Sequence, residues 1–259
     1  MFRLLSAAAV FALLPLAPAA AAVPAVGVEL ASTTTCWALN GRSGVRSGDL
    51  QVAIGKARSG DTLTVRGTCT GGFTVDKDLT LVGPATLSGG TCTPELCDAG
   101  IVLLNNGVNL RLRYLLVTNG YSTWDGGGIQ NYGTLTLDST AVAGNWAEDG
   151  AGGILNEGRL VMNGTSRVSD NWLLFGEGGG VLNRGTVVMD GKSRITGNAA
   201  SEGGGMYNEG TVVLSRGATV TGNRADVGGG LLDTTGRVWF SPRWYGTLCG
   251  NTPDDWRGC

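Results

Sequence analysis

The chain has 259 residues, of which 45 are Gly and none is His, and its 19 basic and 21 acidic side chains leave a formal charge of −2. Without His there is no His-based catalytic dyad or triad and no His-ligated metal, and a near-neutral balance leaves no electrostatic footprint for nucleic acid. With 42% hydrophobic and only 15% charged residues, this is a folded protein with very frequent turns, not a solvated disordered chain.

Met1, Phe2 and Arg3 precede an apolar run, Leu4 to Leu16, closed by small residues up to Ala22. A charged start, an apolar middle and an Ala20-Ala21-Ala22 cleavage pattern read as a signal peptide over residues 1–22. Pro15 and Pro18 interrupt the run before it reaches spanning length, so no membrane span is expected. The expected product is secreted, extracellular or at the cell surface. Residues 23–48 read as an N-terminal extension. Six Cys in an exported chain point to disulfides. Of the many pairings open to them, those joining neighbours near an end or an insertion are expected: Cys36 with Cys69, Cys92 with Cys97, and Cys249 with Cys259.

From Asp49 to Arg58, apolar Leu50, Ala53, Ile54 and Ala57 recur at helical spacing, and Ser59-Gly60 ends the run. This short helix, followed by Gly60-Asp61-Thr62-Leu63, reads as a cap over the open apolar end of a repeat array. The array itself dominates the sequence. One unit runs from Gly126 to Asn145, the next from Gly152 to Asn171, then Gly178 to Asn198 and Gly203 to Asn223, with a degenerate fifth from Gly228. Two Asn columns recur at a period of about 25 residues, Asn131, Asn156, Asn183, Asn208 and Asn145, Asn171, Asn198, Asn223. Asn106-Gly107 and Asn119 fit the two columns by spacing and extend them upstream.

Each unit holds short β-branched runs between Gly and Asn corners, which is one coil of a parallel β-helix. Coils stack at about 4.8 Å, so identical residues form ladders, and an Asn amide can bond the same amide one coil away. The reading is an all-β, single-stranded right-handed parallel β-helix of about seven coils with a short N-terminal cap helix. The capped β-helix domain occupies 49–240 and a C-terminal cap 241–259, where Trp244, Tyr245 and Trp256 are available as cover. Both ends being covered, the chain is expected to be a monomer.

These repeats resemble those of the right-handed parallel β-helix proteins of the pectin-lyase-like superfamily. They are similar in particular to its exported bacterial group, with Gly-Gly-Gly-[Ile/Met]-x-Asn-x-Gly-Thr-[Leu/Val] units, which is similar in turn to polymorphic outer-membrane protein repeats. The opening Leu50-Gln-Val-Ala-Ile54 and the ending Gly250-Asn-Thr-Pro-Asp254 fit that group too. The resemblance covers roughly residues 49–255 and implies the fold; the same scaffold hosts lyases, hydrolases, esterases and adhesins. It implies Asp clusters with a His for hydrolases, and there is no His. For pectate lyases it implies strand-borne carboxylates holding Ca²⁺ with an Arg base, yet Leu135 to Leu137, Leu160 to Met162, Val187 to Met189 and Val212 to Leu214 carry no acid. Arg167 and Arg194 occupy equivalent places in successive coils.

Acids gather at the corner before each Gly triplet: Asp125, Asp149, Glu177, Glu202 and Asp226. A column spaced at about 5 Å per coil suits solvated turns, weak Ca²⁺ or ligand binding, or a pair of catalytic carboxylates. No other cofactor and no structural metal is expected. A sparser oxygen column, Asp138, Asn163 and Asp190, allows the same readings. Beside the acids, Trp146 and Trp172 fall at equivalent positions, with Tyr121, Trp124 and Phe175 in the same corner. Flat rings in a row beside carboxylates can stack on sugar faces, or can simply cover the corner. The functional expectation is a secreted, non-catalytic scaffold or surface-binding protein whose partner is extracellular polysaccharide. The alternative is a polysaccharide lyase or glycoside hydrolase acting on acidic polysaccharide, and enzymatic activity stays open, with the balance against it.

Overall fold

The computed structural model describes residues 35–90 and 100–253. The proposed signal peptide, the Cys92 and Cys97 pair, and Cys259 lie outside the described residues. Two short strands open the structure, β1 (Trp37–Asn40) and β2 (Arg46–Ser47), paired antiparallel as a hairpin. Helix α1 (Leu50–Lys56) follows, started by Asp49, whose carboxylate accepts the Val52 N–H at 2.9 Å. Its buried Leu50, Ala53 and Ile54 close the apolar end of the first coil. Strand β3 (Asp61–Thr70) pairs antiparallel with β1, so the first edge of the solenoid is covered by chain running the wrong way to extend it. The expected Cys36–Cys69 disulfide fixes the hairpin to β3, and Cys249 is also disulfide-bonded.

Beyond β3 the chain is a parallel β-solenoid. A long sheet gains one strand per coil, Leu79–Ser88, Asn109–Thr118, Thr134–Asp138, Arg159–Asn163, Thr186–Met189, Thr211–Leu214 and Val238–Phe240. A second sheet stacks seven strands from Phe73–Val75 to Leu231–Asp233. The solenoid makes about six turns, close to the expected count of about seven coils. A third sheet at the corner stacks Tyr121–Ser122, Trp146–Ala147 and Trp172–Leu173.

Strand alternation builds the core. Leu110, Leu135, Leu160, Val187 and Val212 stack in register, as do Leu112, Leu137, Met162, Met189 and Leu214, and all are buried. Their neighbours alternate outward. Inside the corners both Asn columns form continuous ladders. In the first, Asn131, Asn156 and Asn183 each donate Nδ2 to the next Asn at 2.6, 2.7 and 2.6 Å, and Asn208 donates to Asp233 at 2.7 Å. In the second, Asn145, Asn171 and Asn198 donate onward at 2.9 Å each, and Asn223 donates to Asn251 at 3.0 Å.

The two upstream extensions are corrected. Leu104, not Asn106, stands in register with Asn131. Asn119 sits one residue before the second ladder: Gly120 N–H donates to the Asn145 Oδ1 at 2.9 Å, and Asn119 N–H meets Gly144 O. Its column is the left-handed one, Asn119 (φ 59°), Gly144 (67°), Asp170 (56°), Gly197 (70°) and Gly222 (67°). Asn tolerates that conformation and also makes amide ladders, so spacing alone does not separate the two roles.

Asp170→Gly is therefore expected to be nearly neutral. Removing the left-handed strain of about 1–2 kcal/mol offsets the extra entropy of an unfolded Gly. Gly197→Ala, in the same column, should destabilise, because its Cβ would meet Asp170 Oδ1 at 2.5 Å in addition to the positive φ. Chemical denaturation of the two variants checks the order; an Asp170→Gly variant that loses more than Gly197→Ala refutes it.

Candidate functional site

The acid column holds only in part. Gly126 pairs with Ala151, Glu177 with Glu202, and Glu202 with Val227. The residues directly before the Gly triplets thus run Asp125, Gly150, Glu177, Glu202, Val227, while Asp149 and Asp226 stand one residue earlier. Only Glu177 and Glu202 are neighbours in one column. The sequence misaligns Asp149 because Ala151 replaces the first Gly of its triplet and Gly150 mimics it.

What the corners do build is a groove on the outward face of the seven-stranded sheet. There Leu103, Gln130, Leu155, Leu182, Tyr207 and Leu232 stand in one register column. Leu155, Leu182 and Tyr207, with Ala151, form an apolar cluster separate from the main core. Leu155 and Leu182 floor a cavity of about 380 Å³. Trp124, Asp125, Asp149 and Glu177 line it from the corner before the strands; Tyr132, Glu157 and Arg184 line it from the turn after them. Trp124 is 69% exposed and Tyr132 37%.

Arg184 is held in place by both flanking coils, donating to Glu209 at 2.8 Å and to Glu157 at 3.1 Å. The hydrogen bond to Glu209, ahead of that to Glu157, raises its pKa further. Burial pushes the Tyr132 phenol above its ordinary value, and the charges of Asp125 and Glu157 add to this. Tyr207 is raised in the same way, by burial first and then by the charge of Glu177. Both phenols therefore remain neutral donors well above physiological pH. Four carboxylates against one guanidinium make the groove acidic, and none of the four is buried in the way catalytic carboxylates are desolvated.

The aromatic row exists beside the groove. Tyr121, Trp146 and Trp172 pair in register, with ring centroids 4.6 Å and 5.8 Å apart and the two indoles inclined by only 13°. Ala199 and Arg224 take the next two places, so the row ends at three rings. Tyr121 is buried and donates its hydroxyl to Glu148 at 2.7 Å; Trp172 is half exposed; the Trp146 Nε1 is buried without a partner among the described residues. Phe175 is exposed but is not part of the row.

The expected site residues thus divide. Trp124, Asp125, Asp149 and Glu177 come together in the groove, Trp146 and Trp172 stack at the corner, and Glu202 adjoins Glu177 without lining the groove. Sequence reasoning missed Tyr132, Glu157 and Arg184. All three fill the x of the repeated Asn-x-Gly, a freely varying position in a fixed frame, and that variation is the available signal.

The sparser oxygen column is already occupied at both its acids. Asp138 accepts from Arg111 at 2.6 Å and Arg113 at 3.1 Å, and Asp190 pairs with Arg216 at 3.3 Å. The two acids of that column are therefore ion-paired. Among the described residues no group of three or more His, Cys, Asp or Glu is arranged to hold a metal ion. Arg167 and Arg194 do stand side by side, with Thr219 next in line. Comparison of the chain with protein-family models, with curated proteins and with solved structures finds no match.

Proposed function

We propose that the protein is an exported, non-catalytic binding scaffold whose groove takes a stretch of polysaccharide. The observation that carries this is the pairing of exposed Trp124 and Tyr132 with the apolar Leu155 and Leu182 floor. Flat rings and an apolar floor contact sugar faces, while carboxylates, Arg184 and the neutral Tyr132 phenol supply the hydrogen-bonding groups that orient hydroxyls. The carboxylate excess disfavours an acidic polymer and favours a neutral one. Export is supported by the N-terminal apolar run and by a disulfide that persists only in an oxidising compartment.

Affinity electrophoresis in gels containing a neutral β-glucan, a xylan or polygalacturonate tests this. The protein should be retarded by a neutral polymer and not by polygalacturonate. Trp124→Ala should weaken retardation about tenfold, a loss of about 1.4 kcal/mol, with little change in melting temperature because the ring is mostly exposed. Passage through every neutral gel without retardation, or release of reducing or unsaturated ends from any of these polymers, would overturn the reading.

A further inference from the structure

The hairpin, helix and first long strand enclose a second concavity, of about 460 Å³, far in sequence from the groove. Arg42, Arg46, Lys56 and Arg58 line it, with one acid, Asp61, and apolar Val45 and Ala53. Four of the chain's 19 basic residues thus meet in one cavity of a protein whose formal charge is −2.

The acid answers only one of them. Asp61 is buried; it accepts the Arg58 backbone N–H at 3.0 Å and the Asn40 amide at 2.7 Å, and it forms an ion pair with Arg42. Those contacts, the Arg58 N–H first, hold its carboxyl below the ordinary range, so it is a fixed anion that anchors Arg42. The side chains of Arg46, Lys56 and Arg58 make no ion pair among the described residues. Arg46 is not loose: its guanidinium lies 4.2 Å from the Trp37 ring centroid, which fixes its plane and leaves its N–H edge for an acceptor. Nor does Lys56 serve the end of its helix, since Lys77 Nζ already bonds the Ile54 and Gly55 carbonyls at 3.3 Å each.

Three unmatched cations around one concave space repel each other unless an anion joins them. The volume lies within the range of about 300–1,000 Å³ typical of small-molecule sites, and Val45 with Ala53 offers contact to a carbon body. We propose that this cavity binds a sugar-sized organic anion, its carboxylate or phosphate held by Arg46, Lys56 and Arg58 through charge-assisted hydrogen bonds. The site is independent of the polysaccharide groove, and Trp124 plays no part in it.

Titration calorimetry of the full chain, with Trp37 emission as a second readout, tests the proposal with four probes: glucuronate, glucose 6-phosphate, glucose and inorganic phosphate. At least one of the two anionic sugars should bind. Glucuronate alone assigns a carboxylate, glucose 6-phosphate alone a phosphate, and binding of both assigns either oxyanion. Glucose should not bind, and inorganic phosphate should bind more weakly than the sugar phosphate. Arg46→Gln, Lys56→Gln and Arg58→Gln should each weaken the binding at least tenfold while melting stays unchanged, because all three side chains are exposed. Trp124→Ala should leave it intact. The proposal is overturned if neither anionic sugar binds, if glucose binds equally, if inorganic phosphate matches the sugar phosphate, or if the three variants bind like the parent.

Discussion

Gly185→Ala is expected to lower stability by about 3 kcal/mol or more, read from the denaturation midpoint at unchanged slope. The φ of Gly185 is one any residue adopts, so the cost is steric. A Cβ there would lie 1.9 Å from Gly158 O and 2.8 Å from Glu157 O, both backbone atoms of the preceding coil. The same approach recurs at Gly158 on Gly133 O, 2.1 Å, and at Gly210 on Gly185 O, 2.0 Å. Relief by moving the coils apart is blocked, since the same carbonyls take the next rung's bonds: Thr186 N–H to Gly158 O and Thr211 N–H to Gly185 O, both 2.9 Å. Gly55→Ala is the control. It lies in α1 with nothing within 4 Å of the added carbon and should gain about 0.5–1 kcal/mol. A Gly185→Ala variant within about 1 kcal/mol of the parent would mean the coils are not stacked as closely as this.

That Gly column explains why the fold was readable and the groove was not. Residues that recur from coil to coil, the two Asn, the Gly after the first Asn and the inward Leu, Val and Met, announce themselves by repetition. Two residue types suit one corner at Asn119, whose spacing fits a ladder while its backbone makes a left-handed turn, and at Gly150, which mimics the first Gly of a triplet and so shifts Asp149. The groove depends on Tyr132, Glu157 and Arg184, which differ from coil to coil because the frame leaves them free, so no periodic signal marks them. The cap cavity was further from view. Its hairpin strands span only four and two residues, and its walls come from the hairpin, α1 and the start of β3, which the antiparallel pairing of β1 with β3 folds together without any repeated pattern to mark it.

The two Asn ladders look equivalent in sequence but differ in what each amide holds, and this gives an ordered prediction. Asn198 accepts both the backbone N–H and the Nδ2 of Asn171, at 3.0 and 2.9 Å, and donates to Val168 O at 3.0 Å and Asn223 Oδ1 at 2.9 Å. Asn198→Val leaves the buried Asn171 N–H and the Val168 carbonyl without these partners. Each such group costs about 1–3 kcal/mol, so a loss of about 2–5 kcal/mol is expected. Asn183→Val should cost less, about 1–3 kcal/mol. Its neighbours keep alternatives, Asn156 Nδ2 to the Gly158 and Thr186 carbonyls at 3.3 Å and Asn208 Oδ1 from Gly210 N–H at 3.2 Å. Equilibrium unfolding of both variants decides the matter, and equal losses or the reverse order would mean that backbone capping is not what the second ladder contributes. The same bonding continues at the far end, where Asn223 passes its backbone N–H to Asn251 Oδ1 at 2.9 Å and Asn251 donates to Val220 O at 3.0 Å. The described part of the C-terminal cap is therefore itself a last, incomplete coil, held by the ladder it ends, and Asn251→Val should loosen that end before any other part of the solenoid opens.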